Sequence, residues 1–539
     1  MQDSKPIVAV RPGSSLAARP RLFAALTAAL EVEFRAWTAG EAGAAAAVVE
    51  IAEAAAPGAP ALLARHGVPA LAIAGESGNG SAAERLQLHE TAGLDRRLRG
   101  LVLSDRVLGP VGVGPADEVL AGVGAGAVWT RSRGRVPMHS VGAALPELAP
   151  GEGLYSLLVR RPLAVGALIQ FVRELTAPAG WQAPPTRAAI VFDDPNLRWR
   201  SYGFIDYRRL VEHADAHGYH AAMAMIPLDA GRAHGPTVSL FARRRDRVSL
   251  VFHGNDHVKR ELLGVNDRAA ALALSAQALR RVTRFERRSG LAVDRVMMPP
   301  HGLCSQHVAG ALAALGFDAL CTIHALPWTE SQPADQPLLG WRPAEFVDGC
   351  AVVPRMHLTS SAPEIALRAF ADQPLVIYGH HDDVADGFEP LAQAAAAVNR
   401  LGDVRWMPVG DIVHANHLLR LSGERAEVRP FARRLLLDLP GGVSTIRVDA
   451  PVAGAYDGAL AGWSVGRGPI RPFGTTAPVD AGGAHEVRLH ARAAVDARSV
   501  ARPSWRPWPR LRRAATEARD RVRPLAAARP RRLPAGQNG

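Results

Sequence analysis

Lysine is almost missing from this chain of 539 residues: Lys5 and Lys259 are the two present, and arginine carries the basic charge. Such usage suits a chain encoded by a GC-rich genome. Cysteine is nearly as scarce. Cys304, Cys321 and Cys350 form an odd set with none of the paired spacings of a disulfide framework or a structural zinc site, so they read as reduced, buried thiols. Long apolar runs are lacking too. The longest stretch of low polarity, residues 42–64, is mostly Ala and Gly and holds Glu50, Glu53 and Pro57, which argues against a membrane span. The first twelve residues carry Asp3 and Lys5 and none of the apolar core of a secretory signal, so a cytoplasmic location is expected.

What is present fits a soluble multidomain chain. Hydrophobic residues make up 48% and charged residues 21%, and the length suggests about three domains. The formal charge of +12 is a property of the tail, because residues 496–539 hold 12 Arg against 3 acidic residues. That charge suits an acidic partner, RNA or an anionic membrane surface, but the Pro-interrupted composition favours a flexible, solvated segment. No stable nucleic-acid complex is expected.

Three parts precede the tail. Residues 1–180 alternate apolar runs with Ala-rich helical stretches, as at 46–51, 59–66 and 70–75, and predict an α/β domain of unassigned role. The Gly-rich run at 75–80 lacks dinucleotide-fingerprint spacing and reads as a tight turn. Residues 187–420 carry a regular alternation of short strands and amphipathic helices, which predicts a (β/α) barrel of seven or eight parallel strands. Residues 424–493 hold short β-like runs at 434–438, 445–449 and 486–490 between Gly and Pro turns. They predict a small β-rich domain that either binds carbohydrate or covers one end of the barrel, the covering role being favoured.

Within the barrel, polar residues gather just after the strands. Asp193 and Asp194 end the first, Asp229 lies beyond the second, and His253 to His257 follow the third. His301, then Arg355 and His357, then His380 to Asp383 follow later strands. The carboxyl ends of barrel strands share one face, where active sites assemble. His253 and His257 converge on one ion if their segment turns helically, and a carboxylate from another strand completes a three-ligand site with room for water. A divalent ion there lowers the pKa of its water and makes hydroxide available for attack on a carbonyl. Adjacent aspartates point differently off a strand end, so one can hold metal while the other accepts a proton.

The order Phe192-Asp193-Asp194, His253-x-x-x-His257, Pro299-Pro300-His301-Gly302 and His380-His381 resembles the sequential motifs of the polysaccharide deacetylase superfamily of carbohydrate esterases, in a bacterial branch. The resemblance implies Asp193 as general base and Asp194, His253 and His257 as ligands of a divalent ion, zinc being expected. It implies His380 or His381 as the acid that protonates the leaving amine. The implied reaction removes an acyl group, N-acetyl by preference, from an amino sugar or glycan. The chain departs from the family at Pro195-Asn196, where Gly is common. It departs again at Met298, where the family places an Arg that orients the base; Arg295 and Arg355 are the candidates to replace it.

His301, Trp199, Tyr202 and Arg355 are the expected substrate-binding residues, and Trp328 and Trp341 are further aromatics in nearby loops; core packing accounts for the aromatics equally well. Three other readings stand beside the hydrolase. They are a glycan-binding barrel without turnover, nucleic-acid association through the tail, and an iron oxygenase built on the same two histidines and carboxylate.

Overall fold

The computed structural model describes residues 5–37, 45–52, 67–75, 82–134, 136–177, 180–323, 341–451, 459–504 and 507–527. Seven parallel strands close into a ring: Thr186–Asp193, Ala221–Met225, Val248–His253, Asp294–Met298, Ala319–Thr322, Cys350–His357 and Leu375–Gly379. The ring closes where the first strand pairs on one side with the second, Ile190 opposite Ala221, and on the other with the seventh, Ala188 opposite Leu375. Val404–Trp406 pairs with the amino end of the first strand and stays outside the ring, so the barrel has seven strands.

The crossover helices begin and end where local chemistry dictates. Tyr207–His217 starts at Asp206, whose carboxylate accepts from the backbone N–H of Arg208 and Arg209, and stops at Gly218 in the left-handed region (φ 65°). Arg268–Ser289 starts at Asp267, which caps Ala270 N–H, and stops at Gly290 (φ 72°). Each helix buries its apolar stripe against alternate strand residues such as Ala188, Ile190 and Phe192.

The intervening strand residues, including Ala189, Val191, Ala222, Val251, Met298 and Val353, fill the lumen. They share one core with Val409, Ile412 and Val413 and with Val428, Leu435 and Trp463 of the following segment. That segment forms a four-stranded and a three-stranded sheet, antiparallel except where Arg425–Pro430 runs parallel to Thr445–Val448. Its core is thus continuous with the barrel's. Amino-terminal to the barrel, a nine-stranded sheet runs parallel through five strands and antiparallel through the remaining four. The helix expected at 59–66 and nearly all of the Gly-rich turn lie outside the described residues.

The tail departs from the flexible segment expected of it. Trp508–Ala527 is a helix that lies over the carboxyl-end face of the barrel and touches the loops after the first, second, third and seventh strands. Its composition conceals this, because the stripe it buries is charged. Arg513, Glu517 and Asp520 are all under 10% exposed and all find partners on the barrel.

Candidate metal centre

Asp193 is the last residue of the first strand, and Asp194 turns away from it with φ 81°, so the two carboxylates leave the strand end in different directions. His253 ends the third strand. The segment after it is a loop rather than the helical turn expected, with Gly254 at φ 59° and His257 at φ 56°. Glu261 shapes that loop. Its buried carboxylate accepts from the backbone N–H groups of Asn255 (2.9 Å), Asp256 (2.6 Å) and His257 (3.1 Å). Burial pushes the Glu261 carboxyl up to about 7, against those three hydrogen bonds. A Cβ at residue 254 would lie 2.5 Å from Glu261 Oε2 and 2.6 Å from Pro300, so only glycine fits there.

With the loop so held, Asp194, His253 and His257 each place one ligand atom within 4.8 Å of the others. Asp194 Oδ1 lies 3.1 Å from His257 Nε2 and 3.5 Å from His253 Nε2. His253 Nδ1 is 3.0 Å from the carbonyl of Met298, which only accepts. A neutral His253 therefore carries its proton on Nδ1 and turns the Nε2 lone pair toward Asp194, the usual orientation of a metal-ligating imidazole. Asp194 Oδ1 is buried and has no hydrogen bond of ordinary geometry among the described residues. Acceptors converging on one point, with an orphaned carboxylate oxygen among them, fit a divalent cation.

The charge states of Asp194 and His257 agree with that fit. Burial alone would raise the Asp194 carboxyl, but contact with His253 and the neighbouring His257 outweighs it and holds the group well below the usual carboxylate range. Burial lowers His257 to about 4, so it is neutral and has a free lone pair at neutral pH. Burial also acts to lower His253, but the two aspartates prevail and raise it.

Asp193 stands beside this cluster, its Oδ1 3.9 Å from His253 Nδ1. Arg355 Nη1 donates to that same Oδ1 at 2.9 Å, and both side chains are almost fully buried. Burial works to raise the Asp193 carboxyl; the Arg355 charge overcomes it and keeps the group ionised. Arg355 is therefore the partner of Asp193, not a residue open to substrate. Arg295, the other candidate for that place, pairs with Glu286 on the outer helix layer. Met298, the position at which the chain departs from the motif it resembles, is buried in the lumen.

The remaining expected residues separate. His301 is exposed at φ 60°, its ring 5.7 Å from that of His257. His380 is also exposed, 6.4 Å from the ring of Tyr378, which in turn lies against the Arg355 guanidinium. His381 is buried, with Nε2 3.6 Å from Asp520, its ring edge-on to Tyr202, and Gly203 packed so close that a Cβ there would come within 2.4 Å. Tyr202 is buried as well, and its hydroxyl donates to Asp520 (3.0 Å) and accepts from Arg513 (3.0 Å). Trp199 is half exposed, with the Arg521 guanidinium 4.2 Å over its ring. Trp341 packs in the core of the amino-terminal part, and Trp328 lies outside the described residues.

Two contributions from the terminal helix carry no local signal in the sequence. Arg513 pairs with buried Asp229 at 2.7 Å and donates to the backbone carbonyl of Asp194 at 3.1 Å. Asp520 holds His381 and Tyr202.

No protein-family model matches the chain, and no curated protein matches it. Similar solved structures include carbohydrate esterases. One is a protein assigned as a polysaccharide deacetylase from Mycobacterium smegmatis, 18% identical, covering 44% of this chain and 91% of that one, with a TM-score of 0.29. Another is a family 4 carbohydrate esterase from Streptomyces lividans, 14% identical, covering 41% and 87%, with a TM-score of 0.23. The YdjI aldolase from Escherichia coli is 14% identical, covers 40% and 92%, and has a TM-score of 0.25. At these scores and identities the likenesses carry no functional weight.

Proposed function

We propose that the chain is a metal-dependent hydrolase of the polysaccharide deacetylase type, which removes an acyl group, N-acetyl by preference, from an amino sugar or glycan. The observation that carries this reading is the orphaned, buried Oδ1 of Asp194 between two imidazole nitrogens, with a second ionised aspartate beside it. Zinc suits two imidazoles and one carboxylate. Bound there, it would polarise the acyl carbonyl and make water more acidic.

The chain's own residues supply the rest. Asp193, kept ionised by Arg355, accepts the proton of the attacking water as the new C–O bond forms. Collapse of the tetrahedral centre breaks the C–N bond, and the departing amine takes a proton from His380, the histidine of the pair that is open to solvent. Buried His381, held by Asp520, packs the wall of the site. The exposed ring of His301, 5.7 Å from that of His257, suits contact with a sugar face.

The test is acetate release from a panel of N-acetylated and O-acetylated oligosaccharides by zinc-loaded protein. Turnover on one class that falls at least about a hundredfold in Asp193→Asn and in His380→Ala supports the reading. Saccharide binding without turnover in the wild type would favour the noncatalytic glycan-binding barrel.

A further inference from the structure

We propose that the C-terminal helix docks this chain onto an anionic phospholipid surface through the face it turns away from the barrel. On Trp508–Ala527 the residues Trp508, Leu511, Ala515, Ala518 and Val522 recur at three- and four-residue spacing and so form one stripe. That stripe points to solvent: Trp508, Leu511 and Val522 are 67%, 62% and 60% exposed, and both alanines are exposed. The opposite stripe, Arg513, Glu517 and Asp520, is buried on the barrel. A helix on the surface of a globular domain ordinarily does the reverse. This one spends its polar side on the protein and leaves its apolar side uncovered.

Charge identifies what would cover it. Both acidic residues of the helix, Glu517 and Asp520, face inward, where they meet Arg198 and Tyr202. The borders of the apolar stripe carry arginine alone: by helical spacing Arg510 and Arg521 lie on one side, and Arg512, Arg519 and Arg523 on the other. Arg519 and Arg523 keep 57% and 45% of their side-chain surface in water even while paired with Asp520 and Asp382. The sequence continues with Arg529, Arg531 and Arg532. An apolar stripe bordered by arginines on both sides is the layout of a helix lying in the headgroup region of an anionic bilayer.

The other occupants fit less well. A second copy packed through the same face would set arginine rows against arginine rows, with no carboxylate of the helix itself on that side to answer them. RNA answers the charge and leaves the Trp508, Leu511 and Val522 stripe without a role. No helix among the described residues is long and apolar enough to cross a membrane, so the contact lies along the surface. Docking this way turns the carboxyl-end face of the barrel, which the helix overlies, toward the bilayer.

The test is co-sedimentation of the full-length chain with vesicles of phosphatidylcholine alone and of phosphatidylcholine mixed with phosphatidylglycerol. The account expects binding to the mixed vesicles, weakened by added salt, and little to the neutral ones. The triple variant Trp508→Ser, Leu511→Ser and Val522→Ser should lose at least about tenfold in affinity, since it removes the apolar side chains that enter the bilayer. Arg510→Gln, a milder change at an exposed position, should lose about fivefold. Unchanged zinc content and far-UV circular dichroism in both variants would show that the barrel is intact. Equal vesicle binding by wild type and both variants would overturn the proposal. So would a concentration-dependent dimer that the triple variant abolishes, or tight RNA retention with no vesicle binding.

Discussion

Arg355 and Asp193 stand 162 residues apart in the chain and meet at 2.9 Å inside the barrel, with almost no exposed surface between them. Arg355 lies on the sixth strand and reaches the carboxylate at the end of the first. Arg355→Gln leaves a buried carboxylate without its cation. It should destabilise the fold by about 3–5 kcal/mol and abolish turnover. Pairing Arg355→Met with Asp193→Asn should restore most of the stability and none of the activity. Urea unfolding of the three variants separates these outcomes. The sign with pH follows from a lowered carboxylate: the pair's contribution is complete above about pH 4 and is lost as pH falls through the depressed pKa of Asp193.

The terminal helix is fastened to the metal site through Arg513, which binds Asp229 and the backbone carbonyl of Asp194. Arg513→Met should weaken zinc binding about tenfold, because Asp194 loses the contact that fixes its left-handed backbone. Deletion of residues 508–539 should do the same or worse. Isothermal titration with zinc measures both. Tighter or unchanged zinc binding after the deletion would show that the helix only covers the site.

Glu261 touches no predicted substrate position, yet it closes the loop that carries His257 by accepting three backbone hydrogen bonds. Glu261→Ala should lower zinc affinity about tenfold to a hundredfold while leaving the far-UV spectrum unchanged. A competitive chelator titration reads the difference.

At the fourth strand, Asp294 accepts from Gly410 N–H, and burial raises its carboxyl to about 6. A folded-state pKa above the unfolded value of 3.8 means that the folded state holds the proton longer, so this group's contribution falls as pH rises from about 4 to about 6. Asp294→Asn keeps an acceptor for Gly410 and cannot ionise. Its stability relative to wild type should rise by on the order of 2 kcal/mol across that interval. Parallel unfolding curves at pH 4 and pH 7 would contradict this.

The barrel was legible because each of its parts carries a local signal. Asp206 with Gly218 and Asp267 with Gly290 bracket two helices, and short apolar runs mark the strands between. Asp194, His253 and His257 could be singled out because they lie at or just after strand ends in a regular order, and the fold brings them together. What could not be read depends on long-range contact. Nothing local decides between Arg295 and Arg355 as the partner of Asp193, and Tyr202 was expected to meet substrate while the partners that bury it sit more than 300 residues later. The terminal helix was hidden for a different reason. Its proline and arginine content matches a solvated tail, and the charged stripe it buries contradicts the rule that buried helix faces are apolar.

The most direct test of the metal centre is elemental analysis of purified protein after zinc loading and gel filtration, comparing wild type with Asp194→Ala, His253→Ala and His257→Ala. The account predicts about one zinc per wild-type chain, and retention near background in each variant with the fold preserved by circular dichroism. Full zinc retention in the three variants would contradict it.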